Sequence, residues 1–592
     1  MHFAGLMERL SGRSSQELFL TAALLSSATR EGNICLDLTH PEPLSREGEG
    51  MADLLSMDRR AWLRKVRRSR VVGRPGHDKP IIVDRKGRVY LNRYWAYQDK
   101  LAAWVRSRVE EDGRREEPSV LRERLERLFP GGGKEVDWQK VCAFAASMKT
   151  FTVITGGPGT GKTTTAAKVL ALLMEEAWPT NLRIALASPT GKGAARLQEA
   201  INHARGTLAC REELKATFPG VASTLHRLLG PIGGSPYFRR HAGNPLDLDV
   251  LVVDEASMVD LALMSKLVDA LGPHGRLILL GDKDQLASVE AGAVLGDICD
   301  TGRVRGYSKT FRSRLEEVTG TRLRQETTRK NVPAIADCIV QLQRSYRFSA
   351  DSGISVLSHA VNEGQGEESV RLLREGCSKG IRWKDLPPLR EFGRALKEKV
   401  VEWGRNFSSI APQEVYRGLG HFRILCALRQ GPFGAPAVNL LVEWILRNEG
   451  FIRGGKTWYP GRPVLVTRND YELGLFNGDT GITLADASAN HDLRVFFPAQ
   501  EGTMRAIHPV RMPEHETVYA MTVHKSQGSE FDRVLLLLPD RDSPVLSREL
   551  IYTAVTRARE SVEIWGREEV FRAAVTRRIE RNSGLRDALW GN

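Results

Sequence analysis

No two cysteines in this chain of 592 residues are spaced to grip a metal or staple a loop. The seven that occur, Cys35, Cys142, Cys210, Cys299, Cys338, Cys377 and Cys426, include no C-x-x-C pair. That argues against a disulfide framework or a zinc site and suits a reducing, cytoplasmic compartment. Also missing is any run of eighteen apolar residues, so no membrane is implied. "LFLTAALLSSA" near the start reads instead as a short helix behind a capping box, Ser14-x-x-Glu17. There is no tandem repeat, no low-complexity tract and no separate acid-rich metal cluster to suggest nuclease chemistry. One imbalance stands out: 86 Lys and Arg against 72 Asp and Glu, a formal charge of +14. Such an excess suits a polyanionic partner such as nucleic acid without proving one. The length is too great for a single core and implies roughly three or four domains.

From about residue 137 the texture becomes that of a parallel α/β protein. "FTVIT", "RIALAS", "VLVVD" and "LILLG" are short unbroken apolar runs separated by helical patterns, as strands buried on both faces must be. "RILCAL", "RVLLLLP" and "SVEIWG" indicate a second such core beyond about 341. Between them, "RPVLVTRNDYELGLFNGDTGI" alternates like strands and is broken by Asn-Asp and Asn-Gly, the mark of a small hairpin-rich β module. Residues 300 to 340 are polar and basic with little periodicity and read as a surface excursion. The first 110 residues carry helical stretches, the basic run "RRAWLRKVRRSRVVGR" and the aromatic "VYLNRYWAYQDKLAAWV", which reads equally as a partner-docking surface or as that domain's own core. The expected layout is therefore 1–110 accessory domain, 111–136 linker, 137–340 first parallel-sheet domain and 341–592 second, with the β module at about 455–515.

The chemistry sits where those strands end, which is where parallel sheets bind ligands. "GGPGTGKTTTAAKVL" fits G-x-x-x-x-G-K-[ST] directly after a strand. The backbone of Gly156, Gly157, Pro158, Gly159, Thr160 and Gly161 would curl its N–H groups around phosphates, and Thr164 lies in the first turn of the next helix. Lys162 would reach the terminal phosphates and the Thr163 hydroxyl would hold Mg²⁺. "VLVVDEAS" delivers two acids at a strand tip: Asp254 to orient the metal's shell and Glu255 to polarise the attacking water. In "GDKDQL", Gln285 is placed to sense the γ-phosphate or the water. The expected ligands are ATP and Mg²⁺.

In this order the blocks resemble superfamily 1 helicases. "ASPTGKGAARL" would bring Thr190 and Lys192 to a nucleic-acid phosphate, and "ASTLHRLLG" brings Thr224 and His226 to a similar position. "MTVHKSQGSEFD" resembles the block that grips single-stranded nucleic acid, through Thr522, His524 and Lys525. Arg347 of "LQRSYRF" and Arg557 of "IYTAVTRARE", both read as coming from the second core, match the arginines that reach across to the ATP phosphates. Gln139 matches a glutamine set against adenine. Longer stretches, among them "HAGNPLDLDVLVVDEASMVDL", "LCALRQGPFG" and "EHETVYAMTVHKSQGSEFD", resemble the RecD family, alpha subunits of the bacterial RecBCD (exodeoxyribonuclease V) complex.

That resemblance implies an α/β fold of two RecA-like parallel-sheet motor domains, a mainly helical N-terminal accessory domain and a small SH3-like β insertion. It also implies 5′ to 3′ travel on single-stranded DNA from double-strand ends, with RecB-like and RecC-like partners and the nuclease in another subunit. An RNA helicase of the same superfamily, or a regulatory subunit that binds ATP without translocating, remain the alternatives. Gly193 departs from the family's usual alanine, at a helix cost of about 1 kcal/mol.

Overall fold

The structure is a computed structural model that describes residues 1–38, 58–111, 116–131, 135–299, 306–323, 332–349, 352–375, 380–405, 411–452, 457–470, 472–499 and 503–591. It is a mixed α/β protein in which two wholly parallel sheets stand side by side. Among the described residues no helix is long and apolar enough to cross a membrane. The six cysteines described are free thiols; Cys377 lies outside the described residues.

The N-terminal region is helical, as expected, but also holds a four-stranded sheet. Its strands are β1 (Cys35–Asp37), β2 (Val72–Gly73), β3 (Ile81–Val83) and β4 (Arg88–Leu91), in the order β1-β4-β3-β2. Strands of two to four residues are too short to show period-two alternation, so the sequence does not reveal them. The capping box also moves by one residue. Ser15, not Ser14, caps the helix Gln16–Arg30 by accepting from the Leu18 N–H, while the Ser14 hydroxyl donates to Glu8. The aromatic segment is core: Tyr90 is fully buried, and Tyr94, Trp95, Tyr97 and Trp104 pack against the cluster beneath the first parallel sheet. The arginines of the basic helix Arg59–Arg67 stay largely outside while Trp62, Leu63 and Val66 turn in.

The first parallel sheet contains β5 (Phe151–Gly156), β6 (Ile184–Ser188), β7 (Ala222–Thr224), β8 (Val250–Val253), β9 (Arg276–Gly281) and β10 (Ile339–Leu342), in the order β10-β5-β9-β8-β6-β7. Residues 339–342 pair in parallel with 153–156, so the expected boundary at 340 falls inside a strand of this sheet. Two more expectations give way nearby. The segment 111–136 is not a free linker: helix Pro118–Leu128 buries Leu121, Leu125 and Leu128, spaced i, i+4, i+7, in the core around β5. Nor is 300–340 merely a surface excursion, because helix Lys309–Thr319 buries Phe311, Leu315 and Val318 in the same core. The polar residues between those apolar positions mask a helical stripe one residue wide. Residues 300–305 and 324–331 lie outside the described residues.

The second parallel sheet runs β11-β20-β19-β12-β18, from β11 (Ile381–Asp385), β12 (Phe422–Cys426), β18 (Ala520–Thr522), β19 (Phe531–Leu537) and β20 (Ala558–Gly566). Inserted before β18 is an antiparallel sheet in the order β16-β15-β14-β13-β17, made of β13 (Pro463–Val466), β14 (Thr480–Ala485), β15 (Leu493–Pro498), β16 (Met504–Ile507) and β17 (His515–Thr517). The Asn477-Gly478 turn, with Gly478 at φ +98°, leads into β14 as that dipeptide requires. Beyond β20 the chain recrosses the molecule. Its last helix, Leu585–Trp590, packs on helix Asn92–Glu110 and into the core of the first sheet.

Candidate nucleotide cleft and nucleic-acid interface

The loop between β5 and helix Lys162–Ala177 holds Gly159 at φ +76° and Gly161 at φ +81°, left-handed values that favour glycine. Lys162 folds back over the loop, its Nζ donating to the carbonyl oxygens of Gly156 at 2.8 Å and Gly157 at 3.2 Å. The Thr160 hydroxyl donates to Gly157 O, which tightens the same turn. Asp137 caps helix Trp138–Met148 and so fixes Gln139 in its first turn. There the Gln139 amide nitrogen lies 2.7 Å from where a Cβ on Gly161 would sit.

Strands β8 and β9 bring three acids to this loop. Burial, together with the neighbouring Glu255 charge, pushes the Asp254 carboxyl up to about 6, against the opposing pull of the Glu255 amide, Lys162 and the Thr163 hydroxyl. Glu255 is held in the left-handed region at φ 54°, a strained position for a side-chain-bearing residue. Asp282, which the motif analysis passes over, is also raised to about 6 by burial and by Asp284. It accepts from Gln285 Nε2 and from the Tyr552 hydroxyl, both at 3.0 Å. The signal for it is the first acid of "GDKDQ", at the tip of a buried strand. Gln285 is therefore buried on Asp282 rather than lying in a solvated turn.

A cavity of about 1220 Å³ opens beside the loop, lined by Gly157, Pro158 and Thr160 on one wall and by Arg548, Tyr552 and Thr556 of the second body on the other. The two bodies meet across it: the Leu286 N–H donates to Thr553 Oγ1 at 3.0 Å, and Gln527 Nε2 to Leu286 O at 2.9 Å. Arg557 is buried, donating to the carbonyls of Thr553 and Ser529, and desolvation lowers its pKa against the attraction of Glu255. Arg347 is not on the second core. It lies in the crossover just after β10, directly on the glycine loop: Tyr346 N donates to Gly159 O at 2.7 Å, and a Cβ on Gly159 would come within 2.3 Å of Arg347 Cβ. Its guanidinium pairs with Glu530 at 2.6 Å.

The residues expected to grip nucleic acid lie at the carboxyl ends of β6, β7 and β18. Ser188 and Thr224 are paired in register, so Thr190 and Thr224 open adjacent turns, each hydroxyl capping its helix by accepting from Gly193 N and Arg227 N. A Cβ on Gly193 would come 2.2 Å from Ser188 Oγ, so glycine makes room here, a reason beyond helix propensity for the missing alanine. His226 packs edge-on against Phe238. Thr522 Oγ1 caps the turn carrying His524 and Lys525, and Lys525 pairs with Glu516 at 2.6 Å.

Lys192 departs from expectation. Rather than facing outward, its Nζ donates to Ser529 Oγ at 2.7 Å in the contact between the two bodies. Burial there, helped by Arg196 and Arg423 and opposed by Asp479 and Glu530, pulls its pKa from 10.5 down to about 7. Because the folded value lies below the unfolded one, folding releases a proton between these two values. Stability from this group therefore rises with pH through that window, and the cost is full below it. Between about pH 6.5 and about pH 9 the wild-type Tm should gain on that of Lys192→Met. Parallel Tm curves for the two proteins would show that the ammonium is not desolvated.

Three family models match this chain: an AAA domain over residues 139–291, a UvrD-like helicase C-terminal domain over 517–564, and the N-terminal domain of the RecBCD enzyme subunit RecD over 1–90. The RecBCD enzyme subunit RecD of Mycolicibacterium smegmatis is 37% identical over 602 residues, covering 100% of this chain and 96% of that protein. The chain belongs to the RecD family. The Haemophilus influenzae RecD is 36% identical over 84% of this chain and 80% of its own length. The ATP-dependent RecD2 DNA helicase of Deinococcus radiodurans is 31% identical over 74% of this chain but only 50% of its own length. A Bacteroides Pif1 helicase solved with ADP-AlF3 and single-stranded DNA aligns with 73% of the chain at 17% identity and a TM-score of 0.36. Within this RecD family member, the AAA match contains the glycine loop, both strand-tip acids and Gln285, and the UvrD-like match contains Lys525, Glu530 and Arg557.

Proposed function

We propose that this chain is an ATP-driven DNA helicase subunit that works with RecB-like and RecC-like partners on double-strand DNA ends, in the cytoplasm, travelling 5′ to 3′ on one strand. The reading assigns RecA-like motor folds to the two parallel sheets and an SH3-like fold to the inserted antiparallel one. The observation that carries it is the convergence of Lys162, Asp254 and Glu255 from one sheet with Arg557 from the other, around a loop that turns on the left-handed Gly159 and Gly161.

The residues present suit ATP and Mg²⁺. Asp254 is half-buried beside Thr163 with its charge poorly compensated, and among the described residues Lys162 donates to loop carbonyls that phosphate oxygens can replace. Thr163 and Asp254 would hold Mg²⁺, which neutralises phosphate charge when bound. Glu255, fixed by its strained backbone, polarises the attacking water and takes its proton. Arg347 and Arg557 meet the charge that grows on the terminal phosphate, and Gln139 borders the base. Asp282 joins Gln285 of the first sheet to Tyr552 of the second body, so a change at the phosphate is felt across the cleft. Thr190, Lys192, Thr224, His226, Thr522, His524 and Lys525 line the strand's route, Lys192 and Lys525 exchanging their present partners Ser529 and Glu516 for phosphates.

The deciding experiment is unwinding of duplexes with a 5′ or a 3′ single-stranded tail, by the chain alone and then with its partners, alongside ATP hydrolysis with and without single-stranded DNA. Hydrolysis should rise with DNA and unwinding should require the 5′ tail. Hydrolysis indifferent to DNA would favour a regulatory ATP-binding subunit, and preference for a 3′ tail would reverse the polarity.

A further inference from the structure

Beside the crossover, one carboxylate gathers several arginines. Glu530 accepts from Arg347 Nη2 at 2.6 Å and from Arg559 Nε at 3.2 Å, and lies 3.8 Å from Arg196 Nη1. Arg557 donates to the carbonyl of the preceding residue, Ser529, and is the fourth guanidinium within the field of Glu530. These four cations come from a helix of the first body, the crossover, and the start of β20. Three acids face these four cations, Glu530 together with Asp532, 3.7 Å from Arg559 Nη1, and Glu255, which attracts Arg557, so the cluster keeps an excess of positive charge. Arg347 Nη1 is buried without a hydrogen-bond partner. Guanidiniums so crowded repel one another unless an anion lies among them, and a triphosphate tail brings more charge and more acceptor oxygens than a carboxylate does.

We propose that Glu530 is a positioning residue of the ATPase cycle: it competes with the terminal phosphate of ATP for Arg347, with Arg557 in its field, so that the Arg347 guanidinium is held in place by one anion and handed to another. This rests on the reading of the cleft as the ATP site. Glu530 also ends the turn that begins with Thr522, His524 and Lys525, whose backbone is linked by Ser526 N to Val523 O and Ser529 N to Ser526 O. Ser529 in that turn holds Lys192. A strand that pulls on Lys525 or Lys192 therefore shifts Glu530 and changes how firmly it retains the arginines. DNA stimulation of hydrolysis follows from that linkage.

The competition is selective for the third phosphate, which separates it from a structural role. In the full chain, Glu530→Gln keeps shape and removes charge. Without DNA, its affinity for ATPγS, measured by displacement of a fluorescent nucleotide in the presence of Mg²⁺, should rise by about 3- to 10-fold, since the pairs are part-exposed. ADP affinity should stay within about twofold of wild type, because it lacks the contested group. Basal hydrolysis should rise and its stimulation by DNA should fall. Glu530→Asp should restore the wild-type pattern, and in an Arg347→Ala background the Gln substitution should no longer tighten ATPγS. Parallel changes for both nucleotides, loss of affinity with a lowered Tm, or no change for either would overturn the proposal. Lys162→Gln serves as the control for the underlying reading. If it weakens ATPγS while Glu530→Gln does nothing, only the competition fails; if it leaves ATPγS binding intact, the ATP site itself is misplaced.

Discussion

Lys162→Gln should lower ATP hydrolysis by about a thousandfold and abolish strand movement by this chain, because on the proposed reading it removes an ammonium that reaches the terminal phosphates. Folding should survive. In the structure the Lys162 Nζ makes two hydrogen bonds, to Gly156 O and Gly157 O, and the shorter glutamine amide can donate to the same carbonyls. The expected loss of stability is therefore under about 1 kcal/mol, and assembly with partner subunits should be unaffected since the loop lies inside the cleft. The comparison must be made with the partner helicase disabled, so that unwinding reports this chain alone. Persistent unwinding by the variant under that condition would mean the glycine loop does not drive the motor.

Legibility in the sequence depended on how each feature is encoded. Strands buried on both faces have no alternative to unbroken apolar runs, so β5, β6, β8, β9, β12, β19 and β20 were all legible. The glycine loop and the Asp254-Glu255 pair were legible because phosphate and metal chemistry admits few residue types at few spacings. Features decided by long-range packing were not. Lys192 reads as a free basic residue at a helix start; its partner Ser529 stands more than three hundred positions away, so its desolvation leaves no local mark. Arg347 stands in sequence beside the helices and strands of the second core, yet β10 pairs with β5 and carries it onto the glycine loop. The short strands of the N-terminal sheet and helix Lys309–Thr319 were hidden because two to four apolar residues set no readable period. Glu530 stood in a quoted block, but nothing local marks an acid whose partners come from three separate segments.

A single charge placed in the returning tail should produce the largest loss of stability in the molecule. Leu585 is fully buried among residues of the first sheet's core, with Leu589 and Trp590 beside it. The segment before it is stitched to the N-terminal region at several points. Ile34 N and Cys35 N donate to Asn582 O, Asn582 N donates to Asn33 Oδ1, and Gly584 N donates to Gln98 Oε1. Arg88 and Lys86 both pair with Asp587, and the Trp590 indole donates to the carbonyls of Asp297 and Ile298. Leu585→Asp forfeits the buried side chain, worth about 3 kcal/mol, and leaves an unpaired carboxylate costing about as much again. The tail is expected to detach before the variant can tolerate that charge, so the loss appears as early proteolytic cutting near 577–584 and as a Tm lowered by many degrees. Leu585→Met, which keeps the volume, should cost less than about 1.5 kcal/mol. The consequence for the motor comes from topology. The second body is tied to the first by the crossover through Arg347 and again by this tail, whose Trp590 also lines the cleft. With the tail released, the bodies keep the crossover and the cleft contacts Leu286–Thr553, Gln527–Leu286 and Lys192–Ser529: ATPγS should still bind, while stimulation of hydrolysis by DNA should fall, because movement of the second body is referred to the first through fewer contacts. Wild-type proteolysis and full DNA stimulation in Leu585→Asp would mean that the tail's packing neither holds the fold nor couples the two bodies.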